Sequence, residues 1–187
     1  MSIAVGERFG MAEPMPSRID RGRLAERYRA SAERVARAAQ GLPDDAIEAR
    51  MRAVVDAIWE DFNALEVSWV GFYLPSPAEG PVSELILGPS RNKPACSPIG
   101  LHGVCGQGFV GRTERVVGDV RDLGAGYVAC DPRDASEIVL PIARAASPSP
   151  LLGVIDLDSH ATHRFGQEDS DGLRLVLAAA GFVVPSK

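Results

Sequence analysis

The sequence predicts an α+β fold: a central antiparallel sheet, helices packed on one face, and a ligand pocket covered by loops on the other. Three observations carry that expectation. Helical periodicity begins near Asp20 and returns at the end of the 187-residue chain. Period-two runs fill the middle. Most neighbouring runs are separated by segments with turn chemistry, as hairpins require, and two longer irregular stretches remain to form the pocket's cover.

Residues 1–17 carry Gly6, Gly10, Pro14 and Pro16 and show no periodicity, so 1–19 reads as a disordered tail and 20–187 as one domain. Helical spacing begins near Asp20, with Leu24, Tyr28, Val35 and Ala38 on one face, and Gly41 stops it. Pro43 and Asp44 open a second helix. Its stripe of Ile47, Met51, Val54, Val55, Ile58, Trp59, Phe62 and Leu65 is a core face. From Ser68 the period becomes two. WVGFYL (69–74) places Trp69, Gly71 and Tyr73 on one face and Val70, Phe72 and Leu74 on the other. PSPAEGP (75–81) is a turn, and ELILG (84–88) a second strand.

A Gly- and Pro-rich stretch from Pro89 to about Gly108 reads as a long loop, and loops of that length in a compact domain are usually functional or disordered. Residues 114–117 are a short strand, and 118–136 are again irregular. EIVLPIA (137–143) and LLGVIDLDS (151–159) are strands joined by the hairpin loop 144–150. Residues 167–184 form the closing helix. Glu168 and Asp169 sit in its first turn, where carboxylates suit the helix dipole, and Leu173, Val176, Leu177 and Ala180 form its buried face.

Composition narrows the function. Hydrophobic residues make up 45% and charged residues 24%, ordinary globular usage. Twenty Lys and Arg against 25 Asp and Glu give a net charge of −5, which disfavours nonspecific nucleic-acid binding. The apolar run 175–184 is ten residues long, and a membrane span needs about 20, so none is expected. No basic start followed by an apolar run marks a secretory signal. Three cysteines are too few, and an odd number, for a secreted disulfide scaffold. A cytoplasmic protein is the expectation. No Walker loop, dinucleotide fingerprint, nucleophile elbow or HExxH sequence occurs, so neither a cofactor nor a metal is called for.

Two constellations can carry chemistry. Cys96, Cys105 and Cys130 lie in KPAC (93–96), HGVCG (102–106) and VACD (128–131), beside Gly, Pro or Asp and outside any periodic run. Buried cysteines are ordinarily small hydrophobes. A zinc site with His102 as fourth ligand lacks the usual close cysteine knuckle. Redox thiol chemistry needs an attacking thiolate and a second thiol near enough to resolve the oxidised sulfur, which loops can supply.

The second constellation is acidic. Alternation along 151–159 puts Leu152, Val154, Asp156 and Asp158 on one face and Leu151, Gly153, Ile155 and Leu157 on the other. The 144–150 hairpin brings Glu137 beside the aspartates. Three clustered carboxylates bind a cation such as an ammonium group, and their repulsion raises at least one pKa, leaving a proton donor. A solvated strand end is the bland alternative, and a calcium site lacks the EF-hand pattern. Trp69 and Tyr73 share a face that can hold an apolar or cationic group if it lines a pocket.

WVGFYL, LGPSRNKPAC, GVCG, VACD, SEIVLPI and GVIDLDS, followed by RFGQED before a last helix, resemble the free methionine-(R)-sulfoxide reductases, which are single GAF-domain proteins. The resemblance runs from about residue 24 to 184. Gly166 departs from it, standing where a helix-capping Thr or Ser is usual. It implies a GAF-like fold and thiol-dependent reduction of free L-methionine (R)-sulfoxide, not of the protein-bound residue. It further implies a cysteine sulfenic acid, an intramolecular disulfide and recycling by thioredoxin. On that match Cys130 is the nucleophile, Cys96 the resolving partner and Cys105 its competitor. Glu137, Asp156 and Asp158 divide ammonium binding and proton donation, and Trp69 and Tyr73 form the wall around the methylthio group. The family is commonly dimeric, which implies a homodimer. The alternative is a non-catalytic GAF module that binds a small ligand and signals.

Overall fold

The computed structural model describes residues 21–77, 79–127, 129–147 and 149–185. The tail expected at 1–19 lies outside them. Helices α1 (Arg21–Ala39) and α2 (Ile47–Phe62) come first, followed by strands β1 (Trp69–Pro75), β2 (Glu84–Arg91) and β3 (Ile99–Gly100). Helix α3 (Val104–Gly111) and strand β4 (Arg115–Val117) follow, then β5 (Ser136–Arg144), β6 (Gly153–Ser159), helix α4 (Gln167–Ala179) and β7 (Phe182–Val183). The strands lie in the order β3-β2-β1-β6-β5-β4, and β7 pairs with one end of β5. Every pair is antiparallel.

Alternation along the central strands divides the interior in two. Val70, Phe72, Ile138, Leu140, Ile142, Ile155 and Leu157 face α1, α2 and α4 and form the larger core with Tyr28, Met51, Ile58, Phe62 and Leu177. Trp69, Tyr73, Val139 and Val154 face the opposite side, where they meet Leu85, Val104, Cys105, Val117 and Val120. Burying such side chains contributes about 1.5–3 kcal/mol each, so the helical layer fixes the sheet and leaves its other face for function.

A buried polar cluster ties α1 to α4. Asp169 Oδ1 accepts from Tyr28 Oη at 2.8 Å and from Arg164 Nη1 at 2.9 Å. Arg164 Nε donates to the carbonyl of Leu65 at 2.6 Å. Gly166, at the N-cap of α4, brings no capping oxygen. Its N–H instead donates to Asp169 Oδ2 at 3.0 Å, so the third helical residue does the capping alone.

The structure corrects several element boundaries. Ala39, not Ala38, is buried on α1, because the apolar face steps four residues on from Val35. The loop expected over 89–108 contains the end of β2, all of β3 and the start of α3. A short 3-10 segment, Val120–Gly126, lies in the second irregular stretch. The closing helix stops at Ala179, and the chain reverses at Gly181 (φ +82) into β7, where the apolar run had hidden the turn. Leu152 precedes β6 and packs against the larger core rather than beside the aspartates, since the alternation starts only at Gly153.

Candidate functional site

The free face of the sheet, α3 and the loops before β3 and β5 enclose a cavity of about 270 Å³. All eight residues singled out from the sequence line it: Trp69, Tyr73, Cys96, Cys105, Cys130, Glu137, Asp156 and Asp158. Strand register gathers them. Asp158 of β6 stands opposite Trp69 of β1 on one side and Glu137 of β5 on the other, and Asp156 stands between Gly71 and Val139. One face of three strands therefore presents Trp69, Asp158 and Glu137 in one row, with Asp156 in the next.

Gly71 is the gap that lets the aromatic wall form. A Cβ there would collide with the Trp69 ring and lie 2.7 Å from the Cβ of Ser90. The Trp69 and Tyr73 rings lie 5.8 Å apart between centroids, tilted by 32°. Tyr73 Oη donates to the carbonyl of Cys96 at 3.0 Å and pins the Cys96 loop against the wall, while Ser97 Oγ accepts from the N–H of Leu87 at 3.1 Å.

Cys96 and Cys130 are joined in a disulfide with Cα atoms 5.4 Å apart. Cys130 is held from behind by a tight turn. Asp131 accepts from the N–H and guanidinium of Arg133, and the N–H of Asp134 donates to the carbonyl of Asp131 at 3.1 Å. The N–H of Ala135 then donates to the carbonyl of Ser159, which fixes the turn to the end of β6. His160 Nε2 lies 3.4 Å from Asp131 and 3.7 Å from Asp134. The guanidinium of Arg133 holds the Asp131 carboxyl well below the usual range.

Cys105 is free and buried. It is the second residue of α3, and its Sγ donates to Asp156 Oδ2 at 3.1 Å. Gly106 makes that approach possible. Gly103 is the extended N-cap, and a Cβ on Gly106 would overlap the backbone of Leu101. Burial, with Asp156 and Glu137 alongside, pushes the Cys105 thiol well up, so it stays protonated.

The carboxylates of Glu137, Asp156 and Asp158 can bring one oxygen each within 4.8 Å of one another. Burial raises the pKa of all three. Asp156 and Asp134 raise Glu137 further, Asp134 raises Asp156, and Asp156, Asp134 and Glu137 raise Asp158. Arg115 pulls Glu137 back and the Cys105 thiol pulls Asp156 back, each by less than burial lifts it. Glu137 Oε1, Asp156 Oδ1 and Trp69 Nε1 are buried with no hydrogen-bond partner among the described residues. Leaving such atoms unpaired is costly, about 1–3 kcal/mol each and more for a charge. The arrangement suits a ligand that brings a cation and hydrogen-bonding groups. It also supplies proton donors near neutral pH, beside a pair of cysteines that can cycle between thiol and disulfide.

Two polar lining residues escape sequence reasoning, Asp134 and Tyr127, both from the irregular stretch 118–136. His102, weighed in the sequence only as a zinc ligand, sits over Gly100 at the mouth. Asp134 was legible only as one of several acids in CDPRDASE, with no period to aim it.

No protein-family profile matches the sequence. Among curated proteins, the chain is 37% identical over 115 residues to the free methionine-R-sulfoxide reductase of Escherichia coli, covering 60% of this chain and 64% of that protein. It spans 60–64% of the length of the first curated relatives it matches. Among solved structures, fRMsr of Staphylococcus aureus in its reduced form superposes with a TM-score of 0.70 at 30% identity, covering 82% of this chain and 92% of that one. The free methionine-R-sulfoxide reductase of Neisseria meningitidis in complex with its substrate gives a TM-score of 0.69 at 28% identity, covering 91% and 96%.

Proposed function

Because the chain belongs to the free methionine-R-sulfoxide reductase family and has its GAF fold, we propose that it reduces free L-methionine (R)-sulfoxide to methionine. The observation that carries this reading is a shared cavity: Cys130, joined to Cys96, lines the same space as Glu137, Asp156 and Asp158.

The substrate's ammonium takes the place the unpaired carboxylate oxygens leave open, a charge-assisted contact of the strong class. Its methylthio group lies against Trp69 and Tyr73. The Cys130 thiolate attacks the sulfoxide sulfur. A protonated carboxyl of the trio gives its proton to the sulfoxide oxygen, the S–O bond breaks, and the hydroxyl ends on Cys130 as a sulfenic acid while methionine leaves. The Cys96 thiol then attacks the sulfenic sulfur, water leaves and the disulfide closes. Two thiols and one sulfoxide thus become one disulfide, one methionine and one water. A dithiol reductant of the thioredoxin class returns the pair to thiols. The cycle fits a reducing compartment, the cytoplasm. No helix among the described residues is long and apolar enough to cross a membrane. By analogy with the family, the protein works as a homodimer.

The test is thioredoxin-coupled turnover on the separated R and S epimers of free methionine sulfoxide. Consumption of the R epimer alone supports the reading. Binding without turnover of either epimer would favour a small-ligand sensor instead.

A further inference from the structure

We propose that Cys105 is a positioning residue for this reaction, not a redox partner of Cys130. Its thiol donates to Asp156 Oδ2, fixes that carboxylate and leaves Oδ1 as the free acceptor for the substrate's ammonium. The inference rests on the function proposed above and assigns a task to the one cysteine that the disulfide does not use.

The geometry argues for it from both sides. Cys96 already stands within disulfide reach of Cys130, so closing the cycle asks nothing of Cys105. Cys105 is 7% exposed, on a helix whose first turn carries Gly106 packed against the backbone of Leu101, which lets the thiol reach β6. Asp156 needs such a donor. It is surrounded by Glu137 on β5, Asp158 on its own strand, Asp134 before β5, Tyr73 on β1 and Tyr127 after the 3-10 segment. The basic groups near the trio are His102 at the cavity mouth and Arg115 beside Glu137. Burial and the neighbouring acids favour the protonated carboxyl, and the thiol's hydrogen bond favours the carboxylate. An ammonium-binding Asp156 must be ionised, so the thiol extends binding to lower pH. A hydroxyl can replace the thiol in that role and a methyl cannot.

Reduced wild-type protein, Cys105→Ser and Cys105→Ala would be compared in single-turnover release of methionine across pH. Cys105→Ala is expected to raise the half-saturating substrate concentration roughly tenfold near neutral pH, from loss of one hydrogen bond to a charged group. It should also move the acid-side loss of binding to higher pH, with a limiting rate within about threefold of wild type, and Cys105→Ser should restore both. Equal slowing of disulfide closure in Ser and Ala, with unchanged half-saturation, would overturn the proposal in favour of a redox role. Wild-type behaviour of Cys105→Ala would overturn it outright. A second readout needs no activity. The chain has three cysteines, so the oxidised protein has one thiol, and its infrared S–H stretch reports Cys105 alone. That band is expected at lower frequency in wild type than in Asp156→Ala. An identical band in the two proteins would refute the hydrogen bond, even in a protein that does not reduce the sulfoxide, so the two readings fail separately.

Discussion

Glu137 of β5 and Asp158 of β6 stand directly opposite each other in the antiparallel ladder, with Asp156 two residues along on the same face. Like charges at such a cross-strand position destabilise a sheet in water, and burial makes the repulsion worse. The free protein lowers that penalty by keeping protons on the cluster. On the function proposed above, an incoming ammonium would lower it differently, by supplying the missing positive charge, and the same three groups would link stability, pH and substrate choice.

The roles of the two bridged cysteines are separable. Cys130→Ser is expected to release no methionine from the reduced protein in one turnover, because a hydroxyl is far too weak a nucleophile to replace the thiolate. Cys96→Ser is expected to release up to one equivalent and then stop, with the sulfenic acid trapped on Cys130. Rapid-quench measurement of methionine, with a sulfenic-acid-specific label, checks both.

Stability should depend on pH through the acid cluster. Burial lifts Glu137, Asp156 and Asp158 above their unfolded values, so the folded state binds more protons than the unfolded chain. The associated stability is fully present below the ordinary carboxylate range near pH ~4. It is lost as pH rises through the elevated folded values into the neutral and alkaline range. Tm without substrate is therefore expected to fall between about pH 5 and pH 8, and less steeply in Glu137→Gln. Calorimetry at several pH values reads the difference, and parallel curves for the two proteins would show that Glu137 is not the titrating group.

Asp169→Ala should be strongly destabilising without touching the cavity. The Arg164 side chain has no exposure, and its partner Asp169 also holds Tyr28 and the N–H of Gly166. Removing one member of a buried pair leaves an uncompensated charge and costs about 3–5 kcal/mol. Urea unfolding of the variant measures the loss, and a change below about 1 kcal/mol would place the stability of this corner elsewhere.

Acylating the substrate's nitrogen should nearly abolish turnover. N-acetyl methionine (R)-sulfoxide lacks the ammonium, which forfeits a charge-assisted hydrogen bond of about 1.5–3 kcal/mol and leaves the acids without their cation, a similar penalty. Together these amount to about two to four powers of ten in kcat/KM at roughly 1.4 kcal/mol per decade. Comparable kcat/KM on the free and acetylated R epimers would mean that the carboxylates do not read the amino group.

Much of this site was legible because strands encode direction. Period two alone put Asp156 and Asp158 on one face of their strand and Trp69 with Tyr73 on one face of theirs, and a hairpin length sufficed to bring Glu137 alongside. What escaped was carried by segments with no period to read. In SPIGLHGVCGQGF the glycines read as loop, yet Gly106 is there because α3 must pass against the backbone of Leu101. The hydrogen bond between Cys105 and Asp156 spans 51 positions and depends on that helix, so no local pattern announces it. Asp134 reaches the cavity through a local turn set by Asp131 and Arg133, but that turn is aimed by the bond from the N–H of Ala135 to the carbonyl of Ser159, which is tertiary information.

The central claim is that Cys130 and Cys96 together remove the oxygen from free methionine (R)-sulfoxide. Its most direct test is a single turnover of the fully reduced protein with excess substrate and no added reductant, counting methionine released, thiols lost and disulfide-linked peptides. The expected result is one methionine per chain, two thiols lost, and a peptide pair joining Cys96 to Cys130, with Cys105 still free. Substrate bound with all three thiols intact, or a disulfide that includes Cys105 in place of Cys96, would contradict it.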